Sequence, residues 1–137
     1  MVTIKTRKEN RYRGVVAAEA ALVLPLLLLI TFAAIKYGWL FWKGQQITSA
    51  ARHGARMAIL QSAETALVEQ EILDLYDWIE AGDIDFDPDE VDQVAPGDTL
   101  TVTLEVPVDR VDIMNLRWLP EPNYIRASIT MAKEGPM

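Results

Sequence analysis

Cysteine is absent from this chain of 137 residues, and histidine occurs once, at His53. Disulfides, thiolate zinc sites and thiol nucleophiles are therefore excluded, while an oxidising compartment is permitted without being required. His53 stands beside Arg52 and Arg56 with no partner at a useful spacing, so it reads as a polar position on a helix rather than a general base. Ser49, Ser62 and Ser128 have no nucleophile context either. There is no internal repeat, and the expectation is a protein without cofactor or catalysis of its own.

Cations are scarce in the second half. Residues 57–137 carry four Lys/Arg against eighteen Asp/Glu, a net of −14, whereas residues 1–56 carry nine against Glu9 and Glu19, a net of +7. The acidic half argues against nucleic acid as a partner, because phosphate contacts need clustered cations on the folded domain. The basic residues flank an apolar run, which suits the headgroups of membrane lipid.

That run is the dominant feature. Val15–Ile35 spans 21 residues, of which 18 are Ala, Val, Leu, Ile or Phe. At about 1.5 Å per residue it covers roughly 30 Å, the thickness of a bilayer core. A soluble core helix of that length would show a polar face, and this one does not. Tyr37, Trp39, Phe41 and Trp42 then bunch with Lys36 and Lys43. Amphipathic rings and snorkelling ammonium groups favour the headgroup layer, so Tyr37, Trp39, Trp42 and Lys43 are assigned to the membrane interface. Lys5, Arg7, Lys8, Arg11 and Arg13 precede the span. Together with the acidic region after it, they favour a cytoplasmic N-terminus and an extracytoplasmic C-terminal part.

Beyond the membrane the helical period continues. Ile47, Ala51, Gly54 and Ala58 form one stripe, and Val68, Ile72, Leu75 and Ile79 a second one out of phase with it. A break is expected near Gln61–Thr65, with Ser62 or Thr65 as cap and Gly82 as the stop. The small residues of the first stripe serve either the protein's own core or a neighbouring subunit's helix. After Gly82 the period becomes two. Ile84 and Phe86 alternate with aspartates; Leu100 to Val108 and Ile125 to Met131 alternate with polar residues. Ala95-Pro96-Gly97-Asp98 carries turn chemistry. Met114, Leu116, Trp118 and Leu119 lie in the long connection 109–123, either capping the core or forming a partner patch.

The expected class is α+β: a single N-terminal transmembrane helix continuing into a long amphipathic helix packed on a small antiparallel sheet of about three strands. The divisions are a basic leader at 1–14, the membrane helix with its aromatic interface at 15–43, an extramembrane helix at 44–82 and a β region at 83–137.

Asp83, Asp85 and Asp87 have the spacing that opens a calcium loop. Pro88 and Val94 fall where that loop wants glycine and glutamate, so the favoured reading is a solvated acidic edge strand and no metal site.

Glu19 is the one acid in the membrane run, five residues past Gly14. A carboxylate at mid-bilayer costs roughly 2.5–3.5 kcal/mol, less near the edge, so it calls for a reason. If the chain is cut after Gly14, Val15 gains an α-amine whose charge can pair with the Glu19 of a neighbouring subunit.

The stretch Gly14-Val15-Val16-Ala17-Ala18-Glu19 resembles the prepilin cleavage motif of type IV pilin-like proteins. Ala18-Glu19-Ala20-Ala21-Leu22-Val23-Leu24-Pro25, Gln46-Ile47-Thr48-Ser49-Ala50-Ala51-Arg52-His53-Gly54-Ala55-Arg56 and the terminal Met131-Ala132-Lys133-Glu134 resemble the TadE-like family, pseudopilins of tight-adherence (Flp) pilus systems. The resemblance implies a bitopic protein of the bacterial inner membrane whose leader is removed after Gly14 by a prepilin peptidase. It implies a minor pseudopilin, not an enzyme, whose partners are other pilins or pseudopilins and the pilus assembly platform. Gly14 and Val15 would direct processing, and Glu19 assembly. Val15 departs from the phenylalanine that many type IV pilins carry after the cut. The alternative is an uncleaved single-span envelope protein that tethers an acidic domain. A secreted protein with a signal peptide fits less well, because the apolar run is long and Thr31-Phe32-Ala33 is a poor cleavage site.

Overall fold

The computed structural model describes residues 6–60, 62–116 and 118–135, with side chains from Gly14 onward apart from those gaps. Residues 1–5 of the basic leader, Lys5 included, lie outside the described residues, as do the side chains of Arg7, Lys8, Arg11 and Arg13. The chain divides into two units, one ending at Tyr37 and one starting at Gly38.

Within the first unit the chain belongs to α1, the 53-residue helix Thr6–Ala58. Its apolar side chains are exposed along the whole run, from Val15 at 58% through Leu22 at 79% to Ile35 at 47%. A surface that apolar is not stable against water but matches hydrocarbon. The backbone needs no outside partner except around Pro25, which lacks a donor. The one hydroxyl in the run is satisfied internally, Thr31 Oγ1 donating to the Leu27 carbonyl at 2.8 Å.

The second unit is a small α+β domain. Its sheet has the order β1-β2-β3, with β1 at Ile84–Asp87, β2 at Thr99–Pro107 and β3 at Tyr124–Ala132, antiparallel throughout. The register sets Phe86 opposite Val102 and Val102 opposite Ile129, with Ile84, Leu104 and Ala127 in the next row. One face is therefore apolar and the other polar, as the alternation requires. On the polar face Thr101 and Thr130 share a hydrogen bond of 2.8 Å, and Thr103 and Ser128 one of 3.0 Å.

The stripe of small residues on α1 covers the apolar face. Ile47, Ala50, Ala51, Ala55 and Ala58 are completely buried. A Cβ on Gly54 would lie 2.5 Å from Ile72 Cδ1 and 3.7 Å from Val102 Cγ1, and one on Gly44 3.6 Å from Ile125 Cγ2. Of the two roles open to this stripe, it fills the one inside its own core. Gly54→Leu is expected to destabilise the domain by about 1–3 kcal/mol, since overpacking against a fully buried Ile72 outweighs the roughly 1 kcal/mol gain in helix propensity. Thermal unfolding followed by circular dichroism checks this; an unchanged midpoint would mean that Ile72 can yield.

Two local expectations are corrected. The break after α1 falls where the stripes lose phase, and α2 spans Thr65–Leu75. Its N-cap is Glu64, without a side-chain cap, rather than Ser62 or Thr65. The Thr65 hydroxyl instead accepts the Val91 N–H at 3.0 Å, joining α2 to the turn at Val91–Gln93. The helix expected to run to Gly82 stops at Leu75, with Tyr76 extended at φ −142°. Only Val68 and Ile72 of its stripe are buried from within the helix, Leu75 being 50% exposed; Ile79 reaches the core from the following turn. Helix is abandoned where its apolar face runs off the core.

The predicted turn is present: Asp98 N–H donates to the Ala95 carbonyl at 3.0 Å, and Gly97 takes φ +92°, open to glycine without strain. The connection after β2 begins with a short helix, α3, at Val108–Val111. The end of β3 closes the domain. The buried Lys133 donates through Nζ to the carbonyls of Val91 at 2.7 Å and Ala58 at 3.4 Å, the latter at the negative end of α1.

Candidate processing and membrane-interface site

Gly14, Val15 and Glu19 all lie inside α1, and all three are exposed. A Cβ on Gly14 would meet nothing within 4 Å. The Gly14–Val15 peptide bond is thus sterically open but held in helix, and about one turn would have to unwind before any enzyme could reach it. A glycine at that point lowers the cost, being about 1 kcal/mol less favourable in a helix than alanine. Among the described residues no side chain pairs with Glu19.

At the other end of the apolar run the interface residues form a defined cluster at the start of the domain. Trp39 and Trp42 meet edge to face with centroids 4.9 Å apart. Lys43 Nζ lies 5.5 Å from the Trp39 ring centre, 5.6 Å from Trp42 and 4.1 Å from Trp78. Three indole faces around one ammonium make a cation–π cluster, each contact worth about 0.5–2 kcal/mol. Trp39 Nε1 donates to the Val111 carbonyl at 2.7 Å. Tyr37 and Trp42 stay exposed, at 40% and 49%.

Trp78 was not anticipated. Its ring packs edge to face with Tyr76 at 5.8 Å, and both follow α2 rather than the membrane run, where the expected helix to Gly82 would have given them no special role. The signal was present only as two aromatics in three residues at Tyr76-Asp77-Trp78.

Asp83, Asp85 and Asp87 are not gathered around one point. Asp83 is buried, its carboxylate accepting the Glu80 N–H at 2.9 Å and pairing with Arg110, which also contacts Glu80 at 3.1 Å. Asp85 and Asp87 are exposed on edge strand β1. Among the described residues no group of three His, Asp or Glu side chains is arranged to hold a metal ion. Arg110→Ala would strand the Asp83 carboxylate and is expected to cost roughly 2–3 kcal/mol, below the 3–5 of a fully buried pair because Arg110 is partly solvated. Urea unfolding of the variant measures it, and a loss under about 0.5 kcal/mol would make the pair an ordinary surface bridge.

Comparison with known families places the first half of this geometry. Residues 14–56 match the TadE-like protein family. The match starts at the glycine before Val15, takes in Glu19, Trp39, Trp42 and Lys43 but not Trp78, and ends within the small-residue stripe. The similarity is confined to this segment, about a third of the chain, and among the described residues one helix is long and apolar enough to cross a membrane, with none of its apolar window buried. No curated protein and no solved structure matches the chain.

Proposed function

We propose that the protein is a minor pseudopilin, cut after Gly14 by a prepilin peptidase and acting without catalysis of its own in the biogenesis of a tight-adherence pilus. The leader is cytoplasmic, the apolar part of α1 is held in the inner membrane, and the α+β domain stands on the extracytoplasmic side. The observation that carries this reading is the carboxylate of Glu19, the one acid in the apolar run Val15–Ile35, exposed and without a partner among the described residues, five residues past a sterically open glycine in a segment that matches the TadE-like family.

The chemistry is charge pairing in a poorly solvated layer. Cleavage creates an ammonium at Val15, and lateral contact between helices brings it to the Glu19 of a neighbouring pilin or pseudopilin. At 4 Å and an effective dielectric constant of 20, two unit charges attract by about 4 kcal/mol. A shift of one helical turn, about 5.4 Å along the axis, would forfeit roughly 40% of that, so the pair also favours one register. The domain adds bulk and an acidic surface, which keeps this subunit distinct from a major pilin that is little more than a helix.

Deleting the chain in its native host tests the reading. Surface pili counted by electron microscopy should disappear and return when the intact chain is supplied. Normal piliation without it would contradict a role in assembly.

A further inference from the structure

We infer that the connection between α3 and β3 is a second membrane contact: Ile113 and Trp118 rest in the headgroup layer beside the helix exit, so that the domain stands on lipid at two points. This rests on the membrane span and not on cleavage or piliation.

Depth is the first consideration. Trp39 belongs to the aromatic and cationic cluster that marks the water–lipid boundary, and its indole N–H holds the Val111 carbonyl at 2.7 Å. Val111 is therefore fixed at the level of that boundary. Ile113 follows two residues later, within roughly 7 Å of chain.

Compactness is the second. The connection does not extend away from that point but folds back in successive turns. Met114 N–H donates to Asp112 Oδ1 at 3.2 Å, Leu119 N–H to the Leu116 carbonyl at 2.9 Å, and Val108 N–H to the Asn123 carbonyl at 3.0 Å, which closes the lobe at its base.

Exposure is the third. Ile113 is 51% and Trp118 58% exposed, while Phe41 and Trp42, on the helix to which the lobe is bonded, are 70% and 49% exposed. Four large apolar side chains thus remain uncovered on two segments joined by a hydrogen bond at the membrane boundary. An indole and an isoleucine left bare at this place suit lipid, where the ring gains an apolar bed and its N–H stays near water.

The charge of the lobe decides the kind of contact. Asp109, Asp112 and Glu121 line an open hollow in it together with Asn115. Against these three acids, residues 109–123 carry Arg110 and Arg117, a net of −1, so anionic lipid adds little and contact comes from apolar insertion, which persists in a zwitterionic bilayer.

The absence of native cysteine makes the test direct. The full-length chain is reconstituted at low density in phosphatidylcholine vesicles, with one cysteine at Ile113, Trp118, Phe41 or Thr130, each labelled with bimane. Ile113→Cys and Trp118→Cys alter exposed positions only, and an unchanged melting temperature verifies the fold. Labels at 113 and 118 should behave like the label at Phe41. They should be quenched by lipid bearing a shallow doxyl group and be several-fold less sensitive to aqueous iodide than a label on the exposed Thr130 of the sheet. Iodide sensitivity equal to that at Thr130 would overturn the inference. So would shielding from iodide without doxyl quenching, which would mean that protein covers the lobe.

Discussion

Cells producing Glu19→Ala are expected to carry as much of the protein in their membranes as wild-type cells and to assemble no pili. Insertion should not suffer, because a carboxylate in a membrane segment costs free energy and alanine does not. Nor should folding of the domain, since Glu19 has no partner among the described residues. Assembly is where the loss falls. An attraction of about 4 kcal/mol between Glu19 and the neighbour's amine corresponds to roughly a thousandfold in the equilibrium constant for one contact. Without it, one axial position of the helix is no better than the next. Membrane fractions probed by immunoblot, with pili counted on the same cells, separate the two effects. Wild-type piliation in the variant would remove Glu19 from the assembly mechanism.

Gly14→Trp is expected to block maturation almost completely and to leave a full-length precursor in the membrane. The substitution is informative because the chain itself tolerates it: a Cβ at this position meets nothing within 4 Å. A defect would therefore lie in recognition by the proposed peptidase, which would have to bring the Gly14–Val15 bond out of α1 and into its own site. Gly14→Ala should show an intermediate delay, since it stiffens the helix without the bulk of an indole. Pulse-labelling of the leader-bearing and shorter forms distinguishes these cases. Normal maturation of the tryptophan variant would show that cleavage does not depend on Gly14.

Much of the fold could be read from residue pattern. Alternation in Leu100–Val108 and Ile125–Met131 anticipated which faces of β2 and β3 meet in the core, because one buried face specifies the register. Gly97 marked its turn, and the phase slip between the Ala51–Ala58 and Val68–Leu75 stripes marked the break in the helix. What escaped prediction depends on residues distant in the chain. The end of α2 at Leu75 is decided by where its face leaves the core, not by a stop residue, and so Gly82 misled. Asp83 suggested an edge strand or a cation, yet its partner is Arg110, 27 residues away. Lys133 reads as a polar strand tail, and only the fold turns it into a buried donor for the end of α1.

The processing and interface residues divide in the same way. Gly14, Val15 and Glu19 stand out by local spacing, and Trp39, Trp42 and Lys43 by crowding beside an apolar run. Trp78 and the Val111 carbonyl complete the cluster from positions 35 and 72 residues further along than Lys43 and Trp39, respectively. No periodicity could have joined them, since the contacts exist only once α2, α3 and the start of the domain pack together.

The decisive measurement is the intact mass of the protein extracted from membranes of its native host. A mature chain beginning at Val15, its leader of residues 1–14 gone, is the predicted result. A chain that keeps those residues, or one that begins beyond Ala33, would contradict the pairing of Glu19 with a newly freed amine.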